Sequence, residues 1–141
     1  MIINIDGIFN PKKTDFNASK LRDIEPNENE VKLCELFIDK FCDYSDKYYH
    51  GTSYGVKHTV EAFVGSYISN GALIKAFVNK NYRVSIIEAG PNCKIGFRIK
   101  PKFKSIFTPI RNISPHRPLN ILNENELYER VGQLLMHNQE H

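Results

Sequence analysis

The sequence predicts an α+β fold, on three observations. Apolar residues recur at spacings of three and four in three stretches before residue 80, the period of amphipathic helices. After residue 81 the period changes to strict alternation, as in a strand with one face in a core. Cap and turn residues (Asn27, Ser69 and Gly90-Pro91-Asn92) stand where these stretches begin or reverse.

Residues 1–26 read as a polar N-terminal arm in which "MIINI" is short enough only for an edge strand, and Pro11 and Pro26 break any longer period. Asn27, three residues before Glu30, makes a capping-box-like start for a helix over about 28–44. Cys34, Phe37, Ile38, Phe41 and Cys42 fall on one stripe of it and are expected in the core. Ser53 is the expected N-cap of the next helix, about 55–66, which buries Val56, Val60, Phe63, Val64 and Tyr67. Ser69 caps a third, about 70–80, with Leu73, Ile74, Phe77 and Val78 inward and Lys75, Asn79 and Lys80 outward. Ala72 and Ala76, one turn apart, allow another helix to approach closely.

"YRVSII" and "CKIGFRIK" then alternate around the Gly-Pro-Asn turn, predicting a β-hairpin over about 82–100. One face of its second strand carries only Lys94, Gly96, Arg98 and Lys100. Helix, tight turn, helix, then hairpin is the order of a winged helix-turn-helix core, so residues 27–100 are read as such a domain. Residues 101–122 hold four prolines, which exclude a regular helix and leave a basic strap or arm. Residues 123–141 end the chain with a helix over about 124–137, structural or a contact for a homodimer.

At 141 residues the chain is long enough for one domain with a real core, and its 41% hydrophobic and 25% charged residues are those of an ordinary soluble protein. No apolar run approaches the roughly 20 residues that span a bilayer. Asp6 interrupts the opening residues before a signal peptide can form. Three cysteines without paired spacing argue against a disulfide framework, so a reducing, cytoplasmic setting is expected.

Net charge is +3, but its distribution says more. Residues 1–49 carry ten acids and seven bases, residues 50–123 two acids and eleven bases, and residues 124–141 four acids and one base. A central block of +9 between two segments of −3 points to an anionic partner, or to a solvated basic face balanced within the molecule.

The stretch "YYHGTSYGVKHTVE" invites an enzymatic reading. His50-Gly51-Thr52 resembles the NAD-gripping motif of ADP-ribosyltransferases, which need a mostly β scaffold and a late catalytic glutamate. Here two helices follow, and Glu88 is the sole acid between Glu61 and Glu124. Gly51 and Gly55 as a tight lead into a capped helix account for the same letters. There is no phosphate-binding glycine loop, no His pair at ligand spacing and no thiol with a base beside it in sequence. The expectation is therefore no catalytic set, no metal and no cofactor.

Residues Ser53, Tyr54, Gly55, Lys57, His58 and Glu61, then Tyr67, Ser69, Asn70, Gly71, Ile74 and Ala76, then Gly90, Pro91 and Asn92 carry a resemblance. They resemble a pattern, SYGxKHxxE, YxSNGxxIxA and GPN, in small proteins of phages, plasmids and other mobile elements. The resemblance covers about a third of the chain and implies a mobile-element origin; it carries no activity and transfers no functional residue. Within it, Lys57 and Glu61 are expected to pair at the surface, and His58 to bond the Tyr-Ser-Asn turn or else contact a phosphate or partner carboxylate.

Two functions of different class follow. In the first, the chain binds nucleic acid, duplex DNA foremost. Lys75, Asn79 and Lys80 face a groove, with base reading resting on Asn70, Lys75 and Asn79, while Arg83, Lys94, Arg98, Lys100, Lys102, Lys104 and Arg111 follow the phosphates. Six such contacts lower affinity roughly a thousandfold over a fourfold rise in salt. In the second, the chain is an anti-defence, anti-CRISPR-like inhibitor that occupies a host nucleic-acid-processing protein. An ADP-ribosyltransferase-like enzyme is the third reading.

Overall fold

The structure, a computed structural model, describes residues 1–12 and 24–104. The expected terminal helix, the strap from residue 105 onward and Arg111 lie outside the described residues. Three helices and two small antiparallel sheets make up the described part, so the α+β class holds.

Helix α1 runs over Glu28–Phe41. The Asn27 side-chain oxygen accepts from the backbone N–H groups of Asn29 and Glu30 at 2.9 and 3.2 Å, as a cap should. The reciprocal half of the capping box is not made. Glu30 instead accepts from the backbone N–H of Ser69 at 2.8 Å, joining α1 to the turn ahead of the third helix. The stripe Cys34, Phe37, Ile38 and Phe41 is buried as its spacing requires. The helix stops three residues short of expectation because Cys42–Tyr44 straightens into strand β3.

Helix α2 covers Ser53–Val64 and ends at Gly65 in the left-handed conformation, φ 73°. Its cap differs from expectation. Thr52 holds the N-cap position without a side-chain bond, and Ser53 turns inward to accept from the backbone N–H of Cys93 at 3.2 Å. Helix α3, Asn70–Asn79, is capped by Ser69, whose hydroxyl accepts from Ala72 N at 3.1 Å. Ala72 and Ala76 are fully buried, and α1 is the helix packed most closely on α3. Val78, expected inward, is 38% exposed. It lies on the same side of α3 as Gly71, a side that the N-terminal residues cover only at the start of the helix.

Strands β4 (Arg83–Ile86) and β5 (Cys93–Ile99) form the expected hairpin. β3 joins its far edge, giving the order β3-β5-β4 with β5 central. Cys93, Ile95 and Phe97 point into the core while Lys94 and Arg98 point out, as the alternation predicts. Phe77 ties α3 to this sheet, its ring 5.0 Å from Phe97 and 5.2 Å from Tyr82. Phe37, Phe41, Phe63 and Phe103 stack edge-on beneath α1 and α2 at centroid distances of 4.8 to 5.6 Å.

The largest departure is at the start of the chain. Residues read as an arm open with a hairpin, β1 (Ile2–Asn4) and β2 (Gly7–Phe9). This hairpin docks between the first turn of α3 and the β4–β5 turn. Gly71 N donates to Ile5 O at 3.2 Å, Ile8 N to Pro91 O at 2.9 Å and Asn10 N to Ala89 O at 3.1 Å. The contact is too close for side chains at three glycines, Gly7, Gly71 and Gly90. A Cβ on Gly71 would lie 1.7 Å from Asn4 O, and one on Gly90, where φ is +117°, 2.3 Å from Ile8 O.

Candidate functional site

Of the eleven residues expected to meet nucleic acid, the ten that the structure describes fall into two groups. Those on α3 are engaged within the chain. Asn70 is buried; its amide nitrogen donates to Asp6 O and to Asn92 Oδ1 at 3.0 Å each. Lys75 lies 3.9 Å from Glu25, Asn79 donates to Glu35 at 3.4 Å, and Lys80 donates to Asp39 at 2.9 Å. That bond to Asp39 also holds the Lys80 ammonium above its ordinary pKa. Three of the four residues thus face acids on or just before α1.

Those on the sheet are presented differently. Register pairs Arg83 with Gly96, Ser85 with Lys94 and Asp43 with Arg98, and directly opposed residues share a face. The outer face therefore carries Arg83, Lys94 and Arg98, all exposed, against a single carboxylate among the described residues, that of Asp43. Arg98 is 3.9 Å from Asp43, a loose pair open to water. The Arg83 guanidinium lies 4.9 Å over the Tyr48 ring. Lys100 donates to the Asp39 carbonyl at 3.1 Å, and Lys102 and Lys104 continue exposed beyond the strand.

A second locus could not be read from any one stretch. The N-terminal hairpin, α2, the turn after it, the start of α3 and the β4–β5 turn enclose a pocket of about 740 Å³. Tyr54, Lys57, His58, Glu61, Tyr67, Asn70, Pro91 and Asn92 all line it, so three separate pieces of the SYGxKHxxE, YxSNG and GPN pattern meet there. The Lys57–Glu61 pair forms, but not at the surface: the two side chains are 9% and 5% exposed. Ile5, Asp6 and Phe9 of the N-terminal hairpin complete the lining.

Glu61 is the hub. Its carboxylate accepts from Lys57 Nζ at 2.5 Å and from Ile68 N at 3.3 Å, and lies 3.2 Å from His58 Nδ1. His58 therefore reaches the Tyr-Ser-Asn turn only through Glu61, rather than bonding it directly. Lys57 Nζ also lies 5.4 Å from the Tyr54 ring centroid and 5.1 Å from that of Tyr67. Glu30, near this network, has its carboxyl pushed up by burial against the pull of the Ser69 bond. Asn70 Oδ1 is buried with no partner among the described residues, an arrangement that costs about 1–3 kcal/mol.

The remaining candidates sit apart. His50 is exposed and its ring stacks on Tyr49 at 4.2 Å, away from the pocket lining. All three thiols are buried and unpaired by disulfides. Burial pushes Cys34 and Cys42 far up and Cys93 to about 11, so none is a thiolate near neutrality. Among the described residues no cluster of His, Cys, Asp and Glu could hold a metal ion, and no helix is long and apolar enough to cross a membrane. No family model matches the chain, and no curated protein or solved structure does.

Proposed function

We propose that this chain is a non-enzymatic nucleic-acid-binding module of the winged helix-turn-helix type, which grips phosphates with the outer face of its sheet. The observation that carries the reading is the exposed triad Arg83, Lys94 and Arg98 on one sheet face, with only Asp43 opposed to it. The order helix, short strand, helix, helix and hairpin, with β5 central, supports the winged architecture. Support for reading bases with α3 is weaker, because Asn70 is buried and Lys75, Asn79 and Lys80 are held by neighbouring side chains.

Counting Arg83, Lys94, Arg98, Lys102 and Lys104 as phosphate contacts, affinity falls roughly five-hundredfold over a fourfold rise in salt. Fluorescence anisotropy with labelled random duplex, single-stranded DNA and RNA at two salt concentrations tests this. Salt-steep binding that is lost when Lys94 and Arg98 are both changed to Ala is the expected result. No binding at low salt would sink it.

A second reading, an inhibitor that occupies a host protein, draws on Tyr44, Tyr54 and Tyr67, each more than half exposed. Exposed tyrosines are enriched at protein interfaces. Partner binding with little salt dependence, by a chain that ignores free DNA and RNA, would favour it over the first.

A further inference from the structure

We propose that the pocket between the N-terminal hairpin and α2 takes one unstacked nucleobase, a base with a hydrogen-bond donor beside an acceptor on its edge, as adenine has. The proposal rests on the nucleic-acid reading above and extends it from phosphates to a base. Three observations carry it.

The first is the pair of amides at the pocket wall. Asn70 Nδ2 donates to Asn92 Oδ1, which locks the two side chains together. That lock leaves Asn70 Oδ1 as a buried acceptor with no partner among the described residues, and turns Asn92 Nδ2 into the donor of the pair at the pocket wall. One acceptor with one donor is the pattern with which a single asparagine reads adenine. Asn70 Oδ1 is closed to water, so a base that reaches it displaces part of the wall.

The second is the rim. Tyr54 and Tyr67 are 53% and 62% exposed and flank Lys57 from two sides. Unstacked bases of single strands are held by stacking on such rings. The pocket volume of about 740 Å³ is ample for a nucleoside.

The third is charge. Lys57 is neutralised by Glu61, so the interior offers no unpaired ammonium to a phosphate. A neutral, flat group suits it better. The phosphates have their own place close by: Asn92 lines the pocket, and Lys94, two residues on, stands exposed on the outer sheet face.

The test compares two fluorescent single strands of equal charge, an oligo-dA twelve-mer and an abasic twelve-mer. The wild-type chain is expected to bind the oligo-dA roughly tenfold more tightly. Tyr67→Ala and Asn92→Ala each remove about tenfold from oligo-dA binding and leave abasic binding unchanged. Lys94→Ala with Arg98→Ala weakens both strands alike. Both pocket residues are accessible enough to be changed without breaching the core, and thermal melts of the variants check that.

Equal binding of both strands, with Tyr67→Ala and Asn92→Ala silent, overturns the pocket while leaving the phosphate reading standing. Binding of neither strand, nor of adenosine monophosphate followed by tyrosine fluorescence, overturns the pocket; the phosphate reading falls with it only if duplex DNA and RNA are ignored as well. Saturable binding of adenosine monophosphate, lost in Asn92→Ala while both strands are ignored, keeps the base pocket and overturns the strand as its source.

Discussion

Helix α3 and the outer face of the sheet carry the same kinds of residue, and the sequence marks both for the same task. Folding separates them. On α3, Lys75, Asn79 and Lys80 meet Glu25, Glu35 and Asp39. On the sheet, Arg83 and Lys94 meet no carboxylate among the described residues, and Arg98 meets Asp43 only loosely. A basic residue is a site only where the fold brings no acid to it. The lysines of α3 stand more than forty residues from their acids in sequence, so the periodicity of either helix alone cannot reveal the pairing.

Cutting the joint between the two regions is the strongest way to break that contrast. Phe77 packs against both Tyr82 and Phe97 and is fully buried. Phe77→Ala is expected to cost about 3–5 kcal/mol in urea denaturation, because a cavity opens between helix and sheet. Next is the buried hub. Glu61→Gln leaves the Lys57 ammonium buried without its counter-charge, and the expected loss is of the same order, about 3–5 kcal/mol. An exposed pair offers the control: Lys80→Ala should change stability by about 1 kcal/mol or less.

Binding measurements sharpen the contrast further. Changing Lys94 and Arg98 to Ala together should lower the salt slope of DNA affinity by about two. Changing Lys75 and Lys80 together should leave that slope as it was. Equal losses from both pairs would mean that α3 enters the interface after all.

The smallest effect is on pH dependence. Burial raises the Glu30 pKa above 4.5, so the native chain holds that proton more firmly than the unfolded one. Its contribution to stability is fully present below about pH 4.5 and is lost as pH rises through the native value. Glu30→Gln keeps an acceptor for Ser69 N and removes the titration. Thermal melts between pH 4 and 7 should therefore be flatter for the variant than for the wild type.

Much of the fold was legible because it is written in local periods. The α1 stripe, the Ser69 cap and the alternation of β5 are each complete within a dozen residues. β3 was not, because Cys42 continues the helical spacing from Ile38 and only the pairing with β5 decides otherwise. The N-terminal hairpin was not, since two three-residue strands are too short to show a period. Its one clue was at the other end of the contact, in Gly71 and Gly90, whose missing side chains make room for it. The outer sheet face was visible as alternating charge. The pocket was visible only as scattered letters, because it is assembled from stretches more than eighty residues apart.

The seat of that hairpin has a consequence for how the chain is made. Residues 2–10 leave the ribosome long before Ala89 and Pro91, which accept two of their hydrogen bonds, have been synthesised. Until then Ile8, 1% exposed in the finished fold, lacks the part of its native cover that the β4–β5 turn supplies. Early-emerging segments normally settle first during synthesis. Here the hairpin must wait for a turn made about eighty residues later, and the pocket is complete only when the two meet.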